Sequence, residues 1–180
     1  MNINSHGKLC KGLKMLAVST FLLSNMTMAQ SGYFAIMTAI VQVSNVDDLE
    51  IIKTLFIEYR RELGVDFCFQ SFEQESSALP GDYSSPDGCL LVLKKGVEAI
   101  GCVAFKPINN SICEMKRLYI RREFRRQHFG KQLAVRVIDA ARGAGYLTMK
   151  LETFSSLVAA TSLYQELGFL RANWLIEKIN

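Results

Sequence analysis

Hydrophobic and polar positions change period several times along the chain. Val41-Gln42-Val43 reads as a short strand, and Leu49, Ile52, Phe56, Tyr59 and Leu63 then recur at helical spacing, laying an apolar stripe on one face. Ser44 or Asn45 would cap this helix, Asp47 and Asp48 suit the positive end of its dipole, and Gly64 ends it. A second helix is predicted over Phe69 to Ala78, with Phe69, Phe72 and Leu79 inward. Pro80-Gly81 and the turn residues Asp82 to Gly88 follow it.

The next three segments are apolar runs: Cys89 to Leu93, Val97 to Phe105 and Ile112 to Ile120. The Lys95-Gly96 and Asn109-Asn110 turns between them make an antiparallel meander. Helical spacing returns with Phe129, Leu133, Val137, Ile138 and Ala141, on a segment closed by Gly143 and Gly145. Tyr146 to Thr153 alternates as a strand, Ser156 to Leu167 reads as a helix, and Gly168-Phe169 opens a last extended piece, with Leu170 to Ile179 supplying one strand. Strands first, then strand-helix-strand-helix-strand, predict an α+β fold: a mixed, mostly antiparallel central sheet with helices on both faces.

The chain has 180 residues and 49% hydrophobic composition, enough for one buried core and hence one domain. Residues 1–36 stand apart from that domain. Lys8, Lys11 and Lys14 precede the apolar run Met15 to Leu23, and Thr27-Met28-Ala29 resembles a small-x-small cleavage site, so residues 1–29 read as a secretory signal. The run is too short to span a bilayer. Met37 opens a compact pattern of its own, and the reading adopted is a cytoplasmic protein translated from Met37, with the domain at 37–180 and residues 1–36 outside it. Export, with Gln30 as the first mature residue, is the alternative. Cys10, Cys68, Cys89, Cys102 and Cys113 are odd in number and form no C-x-x-C pair, which speaks against a disulfide framework or a metal site.

Charge then singles out one stretch. Of the 21 basic residues three precede position 37 and no acidic one does, leaving 18 basic against 17 acidic residues in the body. Between Cys113 and Leu133, however, seven basic residues face only Glu114 and Glu123. A near-neutral body with one basic focus implies an anion site rather than the broad face that nucleic acid requires. The focus also stands where a strand enters a helix, whose first amides lack intrahelical partners and carry the positive end of its dipole.

Arg125-Arg126-Gln127-His128-Phe129-Gly130 resembles the Q/R-x-x-G-x-G/A motif of the GNAT superfamily of N-acetyltransferases, preceded at the usual distance by the strand Glu114 to Ile120. Ala160-Thr161-Ser162-Leu163-Tyr164-Gln165-Glu166-Leu167-Gly168-Phe169 is similar to that family's A-x-x-L-Y-x-x-x-G-F segment. Order and spacing agree over residues 38–169. The resemblance implies an N-acetyltransferase that moves an acetyl group from acetyl-CoA to a primary amine by direct attack. It implies a pantetheine arm along Leu118, Tyr119 and Ile120, and a pyrophosphate over Arg125, Arg126, Gln127, His128, Phe129, Gly130 and Lys131.

Within that resemblance Glu114 aligns with a catalytic carboxylate of several members, or else merely pairs with Lys116 or a neighbouring arginine. Tyr164 matches the general acid beside the cofactor sulfur, or else only packs. Glu58, Tyr59, Gln70 and Phe72 fall on helices that commonly wall the acceptor site, and Tyr59 and Phe72 fit a core equally well. No metal is implied; the partner expected is a small-molecule or peptide amine. Two departures stand out. His128 replaces the first motif glycine, which would crowd the phosphates. The C-terminus is short, leaving an unpaired sheet edge that invites dimerisation. Together they support the alternative of a non-catalytic acyl-CoA-binding or regulatory module.

Overall fold

The computed structural model describes residues 37–64, 69–172 and 175–179. A seven-stranded sheet runs in the order β1-β2-β3-β4-β5-β7-β6, with β1 Thr38–Gln42, β2 Cys89–Lys95, β3 Glu98–Pro107, β4 Ile112–Ile120, β5 Thr148–Leu151, β6 Leu170–Ala172 and β7 Leu175–Ile179. All neighbours pair antiparallel except β4 and β5. The meander expected at β2-β3-β4 is present. The C-terminal expectation needs correction: residues 170–179 form two strands rather than one, and β7 inserts between β5 and β6. The single-strand C-terminus invoked for an impaired module is therefore absent, and the sheet ends at β6 on that side.

Helices α1 (Val46–Leu63) and α2 (Phe69–Ser77) cover one face of the sheet, and α3 (Phe129–Gly143) and α4 (Val158–Glu166) the other. The strands are apolar in continuous runs because both faces are covered. Along β2, Cys89, Leu91 and Leu93 pack towards α3, whereas Leu90 and Val92 pack towards α1. The stripe predicted for α3 is its buried face: Phe129, Leu133, Val137, Ile138 and Ala141 all lie in the core. Helix α1 begins at Asn45, whose side chain accepts from the Asp48 amide at 2.8 Å, and ends at Gly64 with φ 62°. A glycine suits that left-handed position.

One irregularity shapes the site. The β3–β4 register slips between Cys102 and Ala104, and opposite the slip Arg117 has φ 59°. This is a β-bulge, which bends its strand and raises the local twist. Beyond it β4 no longer follows β5, since the parallel pairing covers only Ile112 to Met115 while β4 continues to Ile120. From Lys116 to Ile120 the strand is paired to β3 on one flank and open on the other.

Candidate functional site

The Arg121 amide donates to the Ile100 carbonyl at 2.9 Å, so that residue's backbone faces β3. By alternation the backbone groups of Leu118 and Ile120 face the open flank. A strand edge with unpaired donors and acceptors is a template for an extended ligand that hydrogen-bonds as an added strand. Leu118 and Ile120 turn their side chains into the α3 side of the core and Tyr119 into the α1 side, so their contribution to a ligand is backbone.

The strand leads through a short 3₁₀ turn at Arg122–Phe124 into α3. The first bond of that helix runs from the Gln132 amide to the His128 carbonyl at 3.1 Å. The amides of Phe129, Gly130 and Lys131 thus have no acceptor within the helix. Arg126 and His128 both take φ 61° around Gln127, curling the backbone before the helix. A Cβ on Gly130 would meet only ordinary contacts, the Leu163 Cδ2 at 3.8 Å being the nearest. The fold does not demand glycine there, whereas a ligand approaching the backbone would. The phenyl ring of Phe129 is in the core, leaving its amide alone to face the turn.

His128 is explained by its conformation as much as by crowding. A left-handed backbone is costly for most side chains, and His is among the few that tolerate it. His128→Gly is expected to raise stability by about 0.5–1 kcal/mol and to tighten acetyl-CoA binding about three-fold. Thermal denaturation and calorimetric titration of the pair check both; an unchanged affinity would refute the second half.

The arginines correct the sequence reading most. Read from the sequence as a basic focus around an anion site, several are engaged within the protein. Arg121 forms a bidentate pair with Glu58 at 2.9 and 2.8 Å, and Arg125 one with Glu62 at 2.6 and 2.7 Å. Arg125 also donates its Nε–H to the Ile120 carbonyl at 2.8 Å. Lys131 pairs with Glu166, and Arg117 forms a bidentate pair with Glu75. Among the described residues, Arg122 and Arg126 form no salt bridge and are exposed beside the turn, although the Arg122 charge is felt by Glu62. A pattern in the chain matched this: Glu58 and Glu62 lie four apart on α1, as do Arg121 and Arg125 after β4.

Tyr164 on α4 is buried, edge to face with Phe169, and among the described residues its hydroxyl has no hydrogen-bond partner. Burial pushes its pKa up, and the nearby Tyr59 adds to the rise. Tyr59, from α1, stacks at 5.7 Å on Tyr119 of β4. The three tyrosines therefore belong to one neighbourhood at the open end of β4. Glu114 accepts from the Lys116 Nζ at 2.9 Å, and its side chain is 13% exposed. Of the other candidate acceptor contacts, Glu58 is held by Arg121, Phe72 is a core ring under the Arg60 and Arg117 guanidinium groups at 5.0 Å each, and the side chain of Gln70 lies outside the described residues. Cys89, Cys102 and Cys113 are buried free thiols, their pKa raised by burial. A groove of about 580 Å³ starts at His128 and Lys131 and follows Gln132, Val135 and Arg136 to Ile40. It includes neither Leu118 nor Tyr164, so it leads away from the open flank of β4 along α3.

Residues 52–169 match the model of the acetyltransferase (GNAT) family. The chain belongs to that family. It is an acetyl-CoA-dependent acyltransferase by the evidence of its relatives: an uncharacterised N-acetyltransferase of Schizosaccharomyces pombe is 38% identical over 124 residues, 68% of this chain and 76% of that one. A second, from Dictyostelium discoideum, is 27% identical over 71% of this chain and 88% of its own length. Among solved structures, the PaiA N-acetyltransferase of Thermoplasma acidophilum in complex with coenzyme A superposes with a TM-score of 0.66 at 20% identity, covering 80% of this chain and 99% of that one. At that identity the superposition speaks for the fold, and the GNAT sheet with helices on both faces is the fold observed here. No helix among the described residues is long and apolar enough to cross a membrane.

Proposed function

We propose that this GNAT protein transfers an acetyl group to a primary amine by direct attack in a ternary complex, with acetyl-CoA along the open flank of β4 and over the turn before α3. The observation that carries the reading is the coincidence of two features: β4 loses its β5 partner from Lys116 to Ile120, and the same strand runs on to a turn with free helix amides. Acetyl-CoA supplies the activated acetyl group. The backbone of Leu118 and the Ile120 N–H would bind the pantetheine arm, the Ile120 carbonyl being held by Arg125, and the Leu118 N–H would polarise the thioester carbonyl. The amides of Phe129 to Lys131, with Arg126 and Gln127 at the rim, would take the phosphates.

The acceptor would approach from the α1 side past Tyr59. Tyr164, whose pKa burial raises, would give its proton to the departing sulfur. Glu114 sits on the α1 face of β4, four residues before Leu118, and would accept the amine proton through water. No covalent acyl-enzyme is needed once both reactants are held in line.

The test is calorimetric titration with acetyl-CoA followed by thiol release against a panel of amines, using chain beginning at Met37. Binding together with amine-dependent thiol release is expected. Binding without release by any amine would favour a non-catalytic acyl-CoA-binding module, and no binding would end the reading.

A further inference from the structure

The backbone between β4 and α3 holds two L residues, Arg126 and His128, at φ 61°. Such conformations persist only where the surroundings over-determine them. Downstream the segment is fixed by Phe129, buried in the core. Upstream it is fixed by Arg125, the residue immediately before it, which is held three ways. Its Nε–H donates to the Ile120 carbonyl at 2.8 Å, its two terminal nitrogens donate to Glu62 at 2.6 and 2.7 Å, and its guanidinium lies 5.7 Å from the centre of the Tyr119 ring.

One turn earlier on α1, Glu58 holds Arg121 in the same bidentate fashion, so α1 grips the entry to this segment at two points. Because a guanidinium fork matches a carboxylate in one planar geometry, each grip sets orientation as well as distance.

We propose that Glu62 is a positioning residue: through Arg125 it holds the Arg126–His128 backbone in the curled form that presents the α3 amides. The proposal rests on the reading that this turn receives the phosphates of acetyl-CoA. It assigns Glu62 no contact with that ligand. The Arg125–Glu62 pair is partly exposed, with 38% and 29% of the two side chains open to solvent. Exposed pairs of this kind add little to global stability, so a positioning role separates cleanly from a structural one. A strained turn also makes a specific demand: the grip matters most while residue 128 carries a side chain, and less once glycine makes the left-handed backbone easy.

The experiment uses the full chain as wild type, Glu62→Ala, His128→Gly and the double variant. In calorimetric titrations with acetyl-CoA, Glu62→Ala is expected to lose about five- to ten-fold in affinity, and less than about two-fold when His128 is already glycine, a non-additivity characteristic of coupled sites. Trypsin, which cuts after arginine, supplies a readout without ligand. Cleavage after Arg125 and Arg126 should quicken in Glu62→Ala and return towards the wild-type rate in the double variant, with thermal midpoints of wild type and Glu62→Ala within a few degrees.

Equal losses in both backgrounds, or no change in affinity and cleavage, would overturn the proposal. Tighter binding by Glu62→Ala would overturn it too, showing that Glu62 competes with the phosphates for Arg125. A wild type that ignores acetyl-CoA but shows the expected cleavage pattern would count against the proposed function while leaving the grip on the turn intact.

Discussion

Tyr164→Phe should lower turnover about 10²- to 10³-fold while leaving acetyl-CoA affinity within about two-fold, because it removes one proton and almost no volume. The ring packs against Phe169 and the α3 side of the core, contacts that phenylalanine retains. Stability should hold or rise slightly, since the hydroxyl has no hydrogen-bond partner among the described residues to lose. Burial first, and Tyr59 second, hold the phenol above its ordinary value of 10.0, so it stays protonated at neutral and mildly alkaline pH. An alkaline fall in the wild-type rate near pH 9 or 10 would therefore belong to another group. The sign for stability follows: the raised pKa stabilises the protonated folded form below pH 10, and that contribution is lost as the pH climbs through the folded value. Steady-state thiol release and calorimetry on the two proteins decide the role. A large loss of acetyl-CoA binding would make Tyr164 a binding or packing residue instead.

The architecture was legible because its determinants are local. Apolar runs between turn residues located the meander, and period-3.6 stripes located α1 and α3, to within a few residues; Asn45 caps α1 through its side chain and Gly64 through its left-handed backbone. The turn before α3 was legible too, since a strand entering a helix at Phe129-Gly130 is written in adjacent residues. What was not legible is long-range. Nothing in Met115-Lys116-Arg117 announces that β4 bulges, since Arg117 at φ 59° sends its side chain to Glu75 on α2, a partner 42 residues away in sequence. The fate of the basic cluster was hidden for the same reason. Whether Arg125 faces a phosphate or Glu62 depends on α1 lying across the end of β4, which no window of sequence contains. The C-terminus misled through length: three residues sufficed for β6 because it needs only one partner, β7.

The pairing of the bulge residue Arg117 with a distant carboxylate leads to the second large effect, that of Glu75→Ala. Arg117 lies between the Phe56 and Phe72 rings, 5.6 and 5.0 Å from their centres, and its side chain is 18% exposed. Glu75 receives both arms of that guanidinium and also accepts from the Tyr83 hydroxyl at 2.5 Å. Its removal strands one buried cation and one buried hydroxyl. The expected cost is about 2–3 kcal/mol, below the range for fully buried pairs because about a fifth of each partner meets solvent.

The pH dependence identifies the cause. Burial works to raise the Glu75 pKa, but the hydrogen bonds and charge of Arg117 and the Tyr83 hydroxyl outweigh it, and the net shift is downward from 4.5. The pair therefore stabilises the fold above pH 4.5, and its contribution fades as the pH falls through the folded value. Urea denaturation should show a wide gap between wild type and variant at pH 7 that narrows steadily in acid. A gap independent of pH would mean that Glu75 matters only as packing. Arg117 directly precedes Leu118, so a relaxed bulge would also turn the Leu118 amide away from the open flank. Acetyl-CoA affinity of the folded variant should fall together with its stability, which ties the opening between β4 and β5 to a side chain on α2.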